Sequence, residues 1–219
     1  MRHHIERIII TLCCLLSCTL SGGVTFAQGT AKSAGKTGTT GGAASAEVNP
    51  DDVKLTKLIG LGPQSLVKTP EFRAGGMGGR KPPSDWVQIT AKFSTTPEWL
   101  DELTFDFYAL AMIKDKDGKE QYSFYKNSVR YVDIEKGRDH LAVMYIRPST
   151  LKRYGQLVAV GVEVMEKGKL IGEGKEGNYP DEWWKKEMGS TVTPRDGCML
   201  DRSQSPFALL GIDDYEVIK

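Results

Sequence analysis

The chain has 219 residues, of which 40% are hydrophobic and 26% charged, and its 29 basic and 28 acidic side chains nearly cancel. That length suffices for one domain with a sizeable core. The near-zero net charge argues against nucleic acid as a partner.

The first residues, "MRHHIERIIITLCCLLSCTLSGGVTFAQG", combine a basic start at Arg2 and Arg7, an apolar stretch from Ile8 and small residues near Ala27. This is the anatomy of a secretory signal over residues 1–27. A retained membrane anchor needs about 20 consecutive apolar residues, and Ser17, Thr19, Ser21, Gly22 and Gly23 interrupt this one. Two processing routes fit: cleavage after Ala27, or cleavage before Cys18 in "LLSC" with lipid anchoring of that cysteine. Both predict export, to the periplasm, the outer-membrane surface or beyond it. Signal removal takes away Cys13 and Cys14 and, on the first route, Cys18, so Cys198 is the one thiol certain to remain in the folded part and no internal disulfide is expected there. Loss of residues 1–27 also leaves 27 side chains of each sign.

Residues 28–47, "QGTAKSAGKTGTTGGAASAE", carry no aromatic and no large aliphatic side chain. Such a segment buries too little apolar surface to offset its ordering entropy and reads as a flexible linker. Residues 48–219 then form the folded domain, without internal repeats.

Period-two alternation dominates that domain. In "DWVQITAKFST", Val87, Ile89, Ala91 and Phe93 alternate with Gln88, Thr90 and Lys92, which predicts a strand with one wet face. The pattern continues beyond Pro97 through Leu103, Phe105, Phe107 and Ala109 to a hairpin loop at "DKDG", with Gly118 supplying positive φ. Asp115 and Asp117 there lack the later acidic ligand of a calcium loop. "HLAVMYIRP" and "QLVAVGVEVMEKGKLIGEG" follow as strands, the second broken by a turn at "EKGK". Between them "PSTLKRYG" predicts a helical turn crossing between two layers, with Tyr154 placed to tie the corner as a tyrosine does in immunoglobulin-like domains. The fold class expected is all-β, an immunoglobulin-like two-sheet antiparallel sandwich with one or two short helical turns.

The stretch "GEGKEG" at residues 172–177 matches G-x-G-x-x-G, but its context contradicts nucleotide binding. The preceding strand belongs to a hairpin, Pro180 blocks a following helix, and Glu173 and Glu176 would repel a pyrophosphate. These glycines are expected to make turns at a sheet edge. In the following "PDEWWKKE", Asp181 and Lys185 with Lys186 suit the two ends of a short helix. Trp183 and Trp184 either close an open end of the sandwich or, with Tyr179, contact a sugar, peptide or partner subunit.

No catalytic constellation is legible. His140 is the only histidine outside the signal, Cys198 lies in the loop-like "RDGCML", and neither H-E-x-x-H, C-x-x-C nor G-x-S-x-G occurs. No enzyme activity, cofactor, metal or nucleotide is expected. The tail "SPFALLGIDDYEVIK" is too apolar to be left in water, and Tyr215 and Val217 share one side of an extended segment able to add to its own sheet or to a neighbour's edge.

The segments "KTPEF", "WVQITAKFSTTPEWLDELTFDFYALA", "LAVMYIRPSTLKRYG" and "VAVGVEVMEKGKLI" together resemble the pilus-associated, immunoglobulin-like proteins of Akkermansia and related Verrucomicrobia, whose fold is similar to archaeal type IV pilus-related head domains. The resemblance spans residues 66–171 and implies a structural, assembly or adhesive role at the envelope or on an extracellular pilus. The partners expected are other envelope or pilus proteins from the resemblance, a second copy of the chain from the apolar tail, and a glycan from the tryptophan segment. It carries over no catalytic residue. A fibre-forming type IV pilin would begin with a short basic leader, a glycine cleavage point and a long uninterrupted apolar helix, which this sequence lacks.

Overall fold

Two long alternating runs build the centre of the protein: β3 (Asp85–Lys114) and β4 (Glu120–Ile146) form an antiparallel hairpin closed by the DKDG turn. The computed structural model describes residues 50–70, 83–187, 189–208, 210 and 216–218. The signal, the linker and Tyr215 lie outside the described residues. Gly118 takes φ 79°, and Asp115 Oδ1 accepts from the backbone N–H of Asp117 and of Lys119, so this aspartate is occupied in shaping the turn.

One nine-stranded sheet grows from the hairpin among the described residues. The first part of β3 pairs with β1 (Val53–Ile59) and β2 (Leu66–Lys68). Its later part pairs with β5 (Gln156–Glu166), which pairs in turn with β6 (Lys169–Glu176). The expected sandwich is present, with both layers drawn from this single sheet by folding β3 and β4 over at mid-length. Phe93 and Phe105, twelve positions apart on β3, meet across the fold with ring centroids 4.9 Å apart.

The bend has identifiable causes. Pairing slips between Phe93 and Thr95 and again between Thr95 and Trp99, a gap containing Pro97, which has no N–H to give to a ladder. On β4, Asp133 and Asp139 adopt φ of 52° and 67°. Thr95, buried at the corner, donates to the Glu135 carbonyl at 2.8 Å and accepts from Gly137 N at 2.9 Å, which satisfies groups the broken ladder leaves free. Further along, the Tyr131 hydroxyl accepts from Val143 N at 3.1 Å.

The two layers enclose Ile89, Phe93, Leu103, Phe105, Phe107, Tyr125, Val160 and Val162, all fully buried. The helical turn α1 (Pro148–Tyr154) joins the layers as expected, ending at Gly155 with φ 93°. Tyr154 is held there through its ring, with the Arg195 guanidinium 3.9 Å from the ring centroid. The β5–β6 turn uses Lys167 and Gly168 at φ 48° and 81°. At the open side, Glu176 Oε2 accepts from Gly60 N at 2.6 Å and Leu61 N at 3.0 Å, pinning the end of β6 to the end of β1.

The glycine-rich stretch requires a correction: Gly172 and Gly174 are within strand β6, and only Gly177, at φ 110°, makes a turn. Gly174 is small because β1 passes close by; a Cβ there would lie 2.5 Å from Leu55 Cδ2.

The C-terminal residues cover what the folded sheet leaves open. β7 (Val192–Pro194), β8 (Met199–Leu200) and β9 (Glu216–Ile218) all pair with β4. Phe207 covers the outer face of one layer, stacked on Tyr145 at 4.5 Å and edge-on to Trp86 at 5.7 Å.

Candidate interaction site

The outer face of the other layer carries the two tryptophans. On β5 the residues facing away from the core are Ala159, Gly161 and Glu163, in register with Leu110, Tyr108 and Asp106 of β3. β4 continues the face with Phe124 and Lys126 opposite Leu110 and Tyr108. Across it lies a single 3-10 turn, Trp183–Lys185, in place of the short helix expected from "PDEWWKKE". Both indoles are buried on this outer face, and neither closes an end of the sandwich. Trp184 stacks on Tyr108 at 5.4 Å and 12°, while Trp183 meets Phe124 edge-on at 6.0 Å.

Two residues not singled out in the sequence make this docking possible. Gly161 gives the indole its floor: a Cβ there would lie 2.4 Å from Trp184 Cε3. Glu163, 8% exposed, accepts from the Tyr108 hydroxyl at 2.8 Å, from Trp184 Nε1 at 3.1 Å and from Lys185 Nζ at 2.8 Å. Lys185 also pairs with Glu173 and Glu182. A glycine inside an apolar strand is the available sequence signal, since it marks close approach of another group.

Burial alone would raise the Glu163 carboxyl, but donation from Lys185, Tyr108 and Trp184 outweighs it and holds the group below the usual carboxylate range. Burial and then the Glu163 hydrogen bond push the Tyr108 phenol well up, and the same carboxylate, followed by Glu182, raises the Lys185 ammonium. The glutamate is therefore a fixed anion that fastens the tryptophan turn to the sheet.

Tyr179 is half-buried, with its ring 6.1 Å from Trp183. Together with half-buried Tyr122 and Phe124 it leaves an aromatic shelf partly open to solvent. The Trp183 indole N–H is buried without an acceptor among the described residues. Val217 stands in β9 on the β4 edge, opposite Tyr131. His140 lies 3.3 Å from the Thr95 hydroxyl and against Phe93, while Cys198 packs against the core beside β8. Among the described residues no group of three or more His, Cys, Asp or Glu side chains is placed to hold a metal ion.

A protein-family model matches residues 45–219. A crystal structure of a protein from Akkermansia muciniphila is similar, with a TM-score of 0.62 at 22% identity, over 76% of this chain and 93% of that one. At that identity the likeness is one of fold. No curated protein matches the sequence.

Proposed function

The chain belongs to the family whose model spans residues 45–219, and on that premise we propose that it is a non-catalytic, exported cell-envelope protein that acts by protein–protein contact. Within that reading it serves as a pilus-associated structural, assembly or adhesion component. The observation that carries the proposal is where the buried polar groups go. Buried Thr95, Glu163 and Asp201, and half-buried Glu176, each bind groups that fix the course of the chain itself. The secretory pattern of residues 1–27 supports export.

The test is fractionation of native cells with N-terminal sequencing, followed by affinity purification from solubilised envelope. Recovery in the envelope without the signal, together with other envelope proteins, is the expected result; an intact N-terminus in the cytoplasm overturns the reading. The protein is also expected to need no metal or nucleotide, so its melting temperature should not move with EDTA, calcium or NAD. A rise of several degrees with any of them contradicts this.

A second reading, a glycan- or peptide-binding module, is favoured by one specific feature. The shelf of half-buried Tyr122, Phe124 and Tyr179 offers aromatic stacking area. Binding there predicts a change in tryptophan emission on titration with an oligosaccharide or peptide, lost in Tyr179→Ala.

A further inference from the structure

The two ends of the sandwich carry opposite charge. Where β3 and β4 fold over, Trp99 stands 56% exposed, while Trp86, Trp183 and Trp184 are buried. Carboxylates surround it: Glu98 precedes it, Glu135 is its register partner, and Asp101 and Asp133 lie between the pairs Leu100–Ile134 and Glu102–Val132. Glu98, Asp133 and Glu135 form no ion pair among the described residues, and Asp101 meets Lys167 at 4.0 Å. The cations at this end are Lys54, Lys136, Arg138, Lys167 and Lys169, and the carboxylates outnumber them once Asp51, Asp52 and Asp139 are counted.

At the opposite end α1 crosses between the layers. With its cap it brings Arg147, Lys152 and Arg153, all exposed, and no acid. The Arg153 and Arg195 guanidiniums stand 5.0 and 3.9 Å from the centroid of one ring, that of Tyr154. None of these four cations forms an ion pair among the described residues. The neighbouring hairpin turn does not neutralise them, since Lys114 pairs with Glu120 there and Asp115 is taken up by the turn itself. β3 runs from one end to the other between Leu103 and Met112, which at about 3.3 Å per residue sets the two surfaces roughly 30 Å apart.

We propose that these ends are the two halves of a head-to-tail contact between copies of the chain, in which the acidic corner around Trp99 of one copy docks on the cationic α1 end of the next. Charge complementarity selects the partner, because the surface that suits each end stands on the other end of the same molecule. The exposed indole supplies contact area between the charges and a π face for a guanidinium. Such a contact is heterologous, so it propagates from copy to copy and forms a ring or a filament. The inference rests on the reading of a structural envelope protein given above, and it names the partner as a second copy and the surfaces as these two ends.

The test uses the protein as exported and processed by the cell. Light scattering should show mass rising with concentration at about 50 mM salt and falling back at about 500 mM, where exposed charges are screened. Trp99 is the exposed tryptophan of the four, so quenching of tryptophan emission by acrylamide should weaken as the mass rises. Lys152→Glu with Arg153→Glu reverses one end, and Glu98→Lys with Glu135→Lys reverses the other; all four side chains are exposed. Each double variant should self-associate at least about tenfold more weakly, and an equal mixture of the two should regain the association. The inference is overturned if mass does not depend on concentration at low salt, if association leaves Trp99 as open to quenching as before, or if the mixture regains nothing. Binding of the parent to anionic lipid vesicles through Lys152 and Arg153, without association of copies, assigns the cations to a membrane surface and also overturns it. In each of these cases a chain still recovered from the envelope with its partners fails this inference alone. A cytoplasmic chain with its N-terminus intact fails the reading beneath it.

Discussion

Glu163→Ala is expected to destabilise the protein by about 2–4 kcal/mol, because one buried carboxylate holds three donors and its removal leaves the Tyr108 hydroxyl, the Trp184 N–H and the Lys185 ammonium short of an acceptor. The lower part of that range allows for Lys185, which keeps contact with water and with Glu173 and Glu182. For a domain of this size a loss of about 3 kcal/mol lowers melting by roughly 6–12 °C. The pH dependence makes the test specific. Glu163 has a folded-state pKa below its ordinary value, so the stability it contributes is complete above the unfolded value and is lost as pH falls through the folded one. Glu163→Gln, which resembles the protonated acid, should therefore cost stability at neutral pH and little in acid below the carboxylate range. A difference between Gln and Glu that stays constant from neutral to strongly acidic pH would show that the charge does not fasten the turn.

The same cluster marks where local sequence pattern stops being informative. Strand alternation over residues 87–93 and 103–109, the DKDG hairpin, the β5–β6 turn and α1 depend on neighbours within a few positions, and each stands where its pattern placed it. Glu163, by contrast, reads as the wet position of an alternating strand, yet its partners come from β3, 55 residues earlier, and from a turn 21 residues later. The tryptophans follow the same logic. A single 3-10 turn spreads successive side chains about 120° apart, and each indole finds its own aromatic partner, Tyr108 for Trp184 and Phe124 for Trp183. The continuity of the two layers was hidden because it depends on pairing slips around Thr95 and Pro97. Patches of two or three residues, such as β7, β8 and β9, are too short to show a period at all.

Phe105→Ala is expected to cost about 3–5 kcal/mol, since removing a fully buried aromatic ring loses its burial and leaves a cavity that close-packed neighbours fill only in part. Its position makes the loss larger than burial alone suggests. The ring packs on Phe93 from the other layer at 4.9 Å, edge-on to Tyr131 at 5.8 Å and beside Phe107 at 6.4 Å, so it joins both halves of the bent β3 to β4. Ile89→Ala, Phe107→Ala and Val160→Ala should each cost about 2–5 kcal/mol for the same reason, all three being fully buried between the layers. Asp117→Ala, on the exposed hairpin loop, should stay within about 0.5 kcal/mol of the parent. Urea unfolding of the set measures this directly. A one-residue error in the register of β3 would turn Phe105 and Phe107 outward and Asp106 inward, so alanine variants of the two phenylalanines that unfold like the parent would overturn the layer assignment. The expected order, with Phe105 well above Asp117, follows from the alternation of β3 together with its fold at Thr95.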